Sequence, residues 1–228
     1  MTRPLTHARL ASLLAALSSI GPFAIDAYLP AFPAIGAALG ASQLEVQQTL
    51  TIYMVALAAM VLWHGALADR FGRRRVLIAL TVVFALASLV CALAPSIEWL
   101  WCGRALQGLS GGAGIVVGRA VVRDLHEGPQ AQRLMSRVML IFGLAPALAP
   151  LVGAGLLALA GWRAIFFFLT LFGLVLAWVT WRFLPETLAE EDRQPLHPLP
   201  LLRAYLAIFR HPAFMLLALG VALNFNGF

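Results

Sequence analysis

The sequence predicts an all-α membrane protein, with six transmembrane helices in two three-helix repeats of opposite orientation, followed by the start of a seventh helix. Three observations lead there. Of the 228 residues, 61% are apolar and 11% charged, with a mean hydropathy of +0.88, whereas soluble domains run at about 45–50% and about 25%. The apolar residues gather into runs of about 20, the length that crosses a bilayer core. The sixteen cationic side chains are all arginines, and fourteen of them fall in or beside the connections between alternate runs, against Arg163 at an opposite edge and Arg104 inside a run. Spans fill this length and leave no room for an appended soluble catalytic domain.

The runs cover 10–30, 46–68, 76–95, 99–121, 134–159 and 163–184, and another opens at Ala213. Arg3 and Arg9 precede the first run as they would in a signal peptide, but five further spans point to a retained first helix. Arg3 and Arg9, then Arg70 and Arg73 to Arg75, then Arg119, Arg123, Arg133 and Arg137, then Arg182, Arg193, Arg203 and Arg210 all fall on one side. Basic loops stay in the cytoplasm, so the expected N-terminus is cytoplasmic and the expected location is the inner membrane. The 1–2 and 4–5 connections read as about a dozen residues and the 2–3 and 5–6 connections as much shorter. This repeated rhythm over an odd number of helices is the inverted-repeat plan of secondary transporters. The expected organisation is a bundle over 1–185, a cytoplasmic linker over 186–212 rich in proline and charge, and the start of helix 7 over 213–228.

The net charge of +6 and pI near 10.6 follow from these topogenic arginines and do not call for a nucleic-acid partner. Cys91 and Cys102 lie inside apolar runs without metal-ligand spacing and read as packing residues, so no metal is expected. Charges inside spans are costly and mark function, which singles out Asp26 in helix 1 and Arg104 in helix 4. Both fall near the outer boundary if helix 1 ends at Pro30, and they are expected to share a cavity. An aspartate suits proton carriage, because burial moves a carboxylate's pKa toward the range where it loads and releases protons. An arginine stays charged and supplies a fixed field. Arg104, Gln107 and Gly111 form one stripe of helix 4, suited to line that cavity with Tyr28. Gly108 with Gly112, and Gly114 with Gly118, have the spacing of close helix packing. Tyr53 reads as core and His64 as interfacial. Pro146, Pro150 and Gly153 soften helix 5 as a hinge. Gly108-Leu109-Ser110-Gly111 matches a GxSG protease signature, but His126, His197 and His211 lie in loops and offer no base, so no enzyme is expected.

The segment Gly65-Ala66-Leu67-Ala68-Asp69-Arg70-Phe71-Gly72-Arg73-Arg74-Arg75 resembles the G-x-x-x-D-R-x-G-R-R signature of the major facilitator superfamily. Gly65 would let helices approach, Gly72 would allow the tight turn, and Asp69 with Arg70, Arg73 and Arg74 would form a cytoplasmic gate. Asp26-Ala27-Tyr28-Leu29-Pro30 and Arg104-Ala105-Leu106-Gln107-Gly108 resemble the helix 1 and helix 4 motifs of the drug:proton antiporters. Pro146 to Gly153, Gly161-Trp162-Arg163, Arg123-Asp124 and Leu184-Pro185-Glu186-Thr187 are similar to the Bcr/CflA (bicyclomycin and chloramphenicol resistance) branch. Around Pro146 to Gly153 the prolines of the antiporter helix 5 motif are kept, with only part of its glycine pattern.

The resemblance implies alternating access, efflux of small and chemically varied drug-like molecules, and the proton gradient in place of a cofactor. Asp26 and Arg104 would couple protons, and Tyr28, Gln107 and Gly111 would line the cavity. It also pairs Arg73 with Asp124, leaving Asp69 for a helix start in the other half. Family members have about twelve helices, so this chain is expected to be the N-terminal half, completed by a missing C-terminal half or a second half-transporter. A proton-coupled transporter of one metabolite, such as an amino acid or peptide, and a truncated membrane protein that transports nothing are the alternatives.

Overall fold

The computed structural model describes residues 6–225, all helices, turns and loops, with no strand among them; Arg3 and residues 226–228 of the expected helix 7 lie outside the described residues. Six helical stretches are long and apolar enough to cross a membrane. They are span 1, His7–Leu39; span 2, Gln43–Phe71; span 3, Arg73–Ala92; span 4, Ile97–Leu125; span 5, Gly128–Ala160; and span 6, Trp162–Phe183.

The sequence reading cuts three of these short. Span 1 does not end near Pro30 but continues to Leu39, and the connection after it is only Gly40 to Ser42. Pro30 and Pro33 stand in the first turns of a 3-10 helix, Leu29–Ala31, and an α-helix, Phe32–Leu39. There a missing N–H costs nothing, so these prolines restart the helix rather than stop it. Span 4 likewise runs past Arg119 and Arg123 to Leu125, and span 5 starts at Gly128 with Pro129 in its first turn. The expected contrast between long and short loops is therefore absent. The repeat shows instead in helix length, 33, 29 and 20 residues and then 29, 33 and 22, two long spans followed by a short one in each triplet.

Local chemistry explains the joints. In span 1 the hydroxyls of Ser18 and Ser19 donate back to the carbonyls of Leu14 and Ala15, both at 2.8 Å, and Pro22 has no N–H for the Ser18 carbonyl. Together they break the helix at Ser19. Span 5 is broken at Gly143–Leu144. Single glycines make the sharpest turns: Gly72, at φ +96°, joins spans 2 and 3, and Gly161, at φ +79°, joins spans 5 and 6. Both angles lie where an L side chain is strained. At the opposite end, Ser42 and Glu45 form a reciprocal capping box that starts span 2.

Spans 1 and 4 form the centre, with 67% of the apolar stretch of each buried, against 11% for span 2 and 17% for span 5. Span 4 packs on spans 1, 2 and 3, span 3 on span 6, and span 1 on span 5. Met54, Val55, Leu140, Leu148 and Leu151 are among the large apolar side chains exposed on spans 2 and 5, the pattern of a surface that meets lipid or protein rather than water.

Residues Met1–Gln194 form one compact unit and Pro195–Phe228 a second. The stretch expected as a linker, 186–212, is thus divided: Glu186 to Gln194 belong with the bundle, and Pro198–Phe209 is an α-helix. Within the second unit a further helix, Pro212–Phe225, follows, and the pair bends by 78°.

Candidate functional site

The guanidinium of Arg104 is completely buried in the centre of the bundle. It lies between two aromatic rings, 4.6 Å from the ring centre of Tyr28 of span 1 and 4.4 Å from that of Tyr53 of span 2. Its Nη1 donates to the Ala24 carbonyl at 2.9 Å and to Gln107 Oε1 at 2.8 Å. Gln107 Nε2 donates to the Ser88 hydroxyl of span 3 at 2.7 Å, and that hydroxyl donates to the Phe84 carbonyl at 2.7 Å. The Tyr28 hydroxyl pairs with that of Thr49, which donates to the Val46 carbonyl at 2.6 Å. One buried arginine thereby ties four spans together without a carboxylate. Cation–π contact of a desolvated guanidinium is worth ~2 kcal/mol or more. Nε and Nη2 have no hydrogen-bond partner among the described residues, so the cage holds an uncompensated positive charge.

Asp26 is not part of this cage. Ala24 and Tyr28 are four residues apart and face Arg104 together. Asp26 lies two residues from each, about 200° around a helix of ~3.6 residues per turn. It is partly exposed, and among the described residues it makes no hydrogen bond or ion pair. The expected shared cavity is replaced by two sites on different sides of span 1. Tyr28 and Gln107, expected to line a cavity, are fully buried, and a Cβ on the buried Gly111 would come within 2.8 Å of the Tyr53 hydroxyl; all three pack around or beside Arg104. The glycines of span 4 serve close packing: a Cβ at Gly108 would strike the Tyr53 carbonyl of span 2, and one at Gly114 the Leu17 carbonyl of span 1. Pro146 starts the helix Ala145–Ala160 and Pro150 lies inside it. A Cβ at Gly153 would strike the Ala27 carbonyl, so this glycine seats span 5 against span 1 beside Asp26. His64 is buried, with Nε2 3.0 Å from the Leu109 carbonyl, rather than interfacial.

A second constellation lies at the arginine-rich end. The Arg73 side chain, 8% exposed, sits at the N-terminus of span 3 with Nε 3.1 Å from Asp124 Oδ2 of span 4. Its Nη1 also pairs with Asp69 of span 2, so Asp69, expected to await another half, is engaged here within the bundle. Arg70 is exposed and lies over the Phe71 ring, while Arg74 donates through Nη2 to the Trp181 carbonyl of span 6. Gly65 has more room than close approach requires, since a Cβ there would meet only Val116, at 3.9 Å.

Glu186, quoted above only as part of the Leu184 to Thr187 motif, takes a role that the motif did not give it. Its Oε1 accepts from the backbone N–H of Arg73 at 2.7 Å and of Arg74 at 3.4 Å. A carboxylate thus satisfies the free amides and the positive dipole end of span 3. A Cβ on Gly72 would run into this carboxylate, so Gly72 supplies the space as well as the turn. Next to it, the Thr187 hydroxyl donates to Asp124 Oδ2 at 2.8 Å, and the Gln194 N–H donates to the Asp69 carbonyl at 3.1 Å. Residues 186–194 therefore strap onto all three partners of the clamp. The signal was a lone Glu directly after a helix-ending Pro185; its partner 113 residues away was invisible.

Among the described residues the bundle thus holds a buried cation at mid-bundle, a carboxylate without a partner in an apolar span and a charged clamp at one end. The profile of the Major Facilitator Superfamily matches residues 12–228. The chain belongs to this superfamily. Among its relatives are the MFS-type transporter YdgK of Bacillus subtilis (strain 168), 42% identical over 82% of this chain and 47% of the relative, and the bicyclomycin resistance protein homolog of Haemophilus influenzae, 33% identical over 94% and 54%. The chloramphenicol resistance protein of Pseudomonas aeruginosa is 37% identical over 77% and 42%. These names agree with the Bcr/CflA resemblance of the motifs. The chain spans about half the length of these curated relatives. Among solved structures, the human organic anion transporter MFSD10 (TETRAN) superposes with a TM-score of 0.65 at 23% identity, covering 86% of this chain and 53% of the other, a likeness of fold. Within the superfamily chain, the clamp falls on the 2–3 signature and the cage on the helix 4 motif.

Proposed function

We propose that this superfamily chain is the N-terminal half of a proton-coupled exporter of small, chemically varied molecules, working by alternating access, with its N-terminus and arginine-rich end in the cytoplasm. The observation that carries the coupling is Asp26: a partly exposed carboxylate without a partner among the described residues, in an apolar span, on the opposite side of that span from a permanent positive charge. Such a group binds a proton or gives it up to a cationic or displacing substrate, while Arg104 stays charged. The cargo class is supported by the relatives named for bicyclomycin and chloramphenicol resistance. The apolar faces of spans 2 and 5 suit a second six-helix half, supplied by further chain or by a second copy. No cofactor is required, since the proton gradient supplies the energy.

The test reconstitutes the complete transporter in liposomes loaded with chloramphenicol or a dye and imposes a pH gradient. Export is expected to follow the gradient and to stop when a protonophore collapses it. Export indifferent to the protonophore removes proton coupling. A panel of drugs set against amino acids and peptides identifies the cargo, and transport of a single metabolite alone would overturn the multidrug reading.

A further inference from the structure

The arginine-rich end also carries cations that neither the clamp nor the cage uses. His7 opens span 1 and His126 follows span 4, and their rings stack with centres 4.7 Å apart, which joins two helix ends. Gln130, Arg133, Leu134 and Arg137 follow along one face of span 5, at the spacing that places side chains in a row. With His7 they line a cleft of about 240 Å³, floored by the buried Leu134. Among the described residues no carboxylate oxygen lies within 4.0 Å of His7, His126, Arg133 or Arg137, and residues 1–5 contain no acid. Two guanidiniums one turn apart repel each other, and each presents a planar fork of donors matched to phosphate oxygens.

The geometry points to a binding site for an anionic phospholipid, with its phosphate between His7, Arg133 and Arg137. Three features favour a lipid over a free phosphate ion. The cleft lies at the end of the spans, where headgroups lie; its floor is apolar; and an apolar groove of about 650 Å³ opens on span 1 against span 6, lined by Leu13, Ala16, Leu176, Val179 and Phe183 with Arg9. That groove offers an acyl chain a bed in the same leaflet as the basic cleft. Basic pockets between membrane helices recognise acidic lipid headgroups by this combination. The site is independent of what the protein transports.

The test places the full chain in phosphatidylcholine nanodiscs doped with phosphatidylglycerol and counts, by native mass spectrometry, the phosphatidylglycerol that stays bound on release. R133Q/R137Q is expected to weaken retention about thirty-fold, from two charges at ~1 kcal/mol each and ~1.4 kcal/mol per tenfold. R133K/R137K keeps the charges that orient the chain and loses only the planar fork; it is expected to weaken retention several-fold. It also decides the matter if the glutamine variant fails to insert. R203Q/R210Q, with its changes in the second unit, is expected to bind as the parent does. Excess inorganic phosphate is expected to leave the lipid in place. Parental retention by both Arg133/Arg137 variants, or displacement of phosphatidylglycerol by inorganic phosphate, overturns the lipid site.

Discussion

Arg104 and Arg73 are both almost wholly withdrawn from solvent, at 0% and 7% exposure, yet the bundle satisfies them in opposite ways. Arg104 is held by two aromatic faces, a backbone carbonyl and an amide oxygen, with no acid. Arg73 is held by two carboxylates whose side chains are 45% and 19% exposed. Aromatic and carbonyl contacts do not depend on proton occupancy near neutral pH and persist while other parts titrate or move. Ion pairs with wet partners are worth only about 0–1 kcal/mol, so they break and re-form at little cost. In the exporter proposed above, this difference divides the labour: the mid-bundle arginine would serve as a fixed charge and the end arginine as a latch.

The cage is broken most directly by Arg104→Lys. An ammonium keeps the charge but loses the planar stack between Tyr28 and Tyr53, and the expected cost is about 2 kcal/mol of stability, read as a lower thermal midpoint in detergent, together with loss of transport. A midpoint equal to the parent's would show that the rings do not hold the guanidinium.

How much of this contrast was legible in the sequence follows from where each partner lies. The span count and the family came from composition and from the ordered motif Gly65 to Arg75, because lipid exposure and tight turns impose residue types directly. The pairing of Arg73 with Asp124 came from the family resemblance, which the geometry now supplies in distances. Arg104, Gln107, Gly111 and Tyr28 were grouped from the helix 4 stripe, but as a cavity lining; their closure into a cage was not legible, because Arg104 is held by the Ala24 carbonyl, which carries no sequence signal, and Gln107 by Ser88 on another helix. Asp26 was set beside Arg104 because both are charges inside spans at similar depth near the outer boundary; the roughly 200° between Asp26 and Ala24 separates them. The helix ends were misplaced because prolines in a first turn look the same in sequence as prolines that end a helix.

The latch is tested by charge reversal. Arg73→Asp, which sets a carboxylate against Asp69 and Asp124, and Asp124→Arg, which sets a guanidinium against Arg73, are each expected to impair transport. The double variant is expected to recover part of the transport. Absence of recovery, with a thermal midpoint as low as that of Arg104→Lys, would erase the distinction between latch and fixed charge. A smaller effect is expected from Glu186→Gln, which keeps the shape and removes the charge from the N-terminus of span 3, at about 0.5 kcal/mol. Its readout is a faster reaction of a cysteine placed at Thr187 with a water-soluble maleimide, as the strap loosens. An unchanged rate would leave Glu186 as a passive neighbour of Gly72.

The central claim is that proton traffic passes through Asp26 while Arg104 stays charged in its cage. Drug-induced proton release from the purified complete transporter, compared with that of Asp26→Asn, tests it most directly, because Asn keeps the shape and has no proton to lose. Release is expected to disappear in the variant while membrane insertion and the thermal midpoint stay at parental values. Undiminished proton release from Asp26→Asn would contradict it.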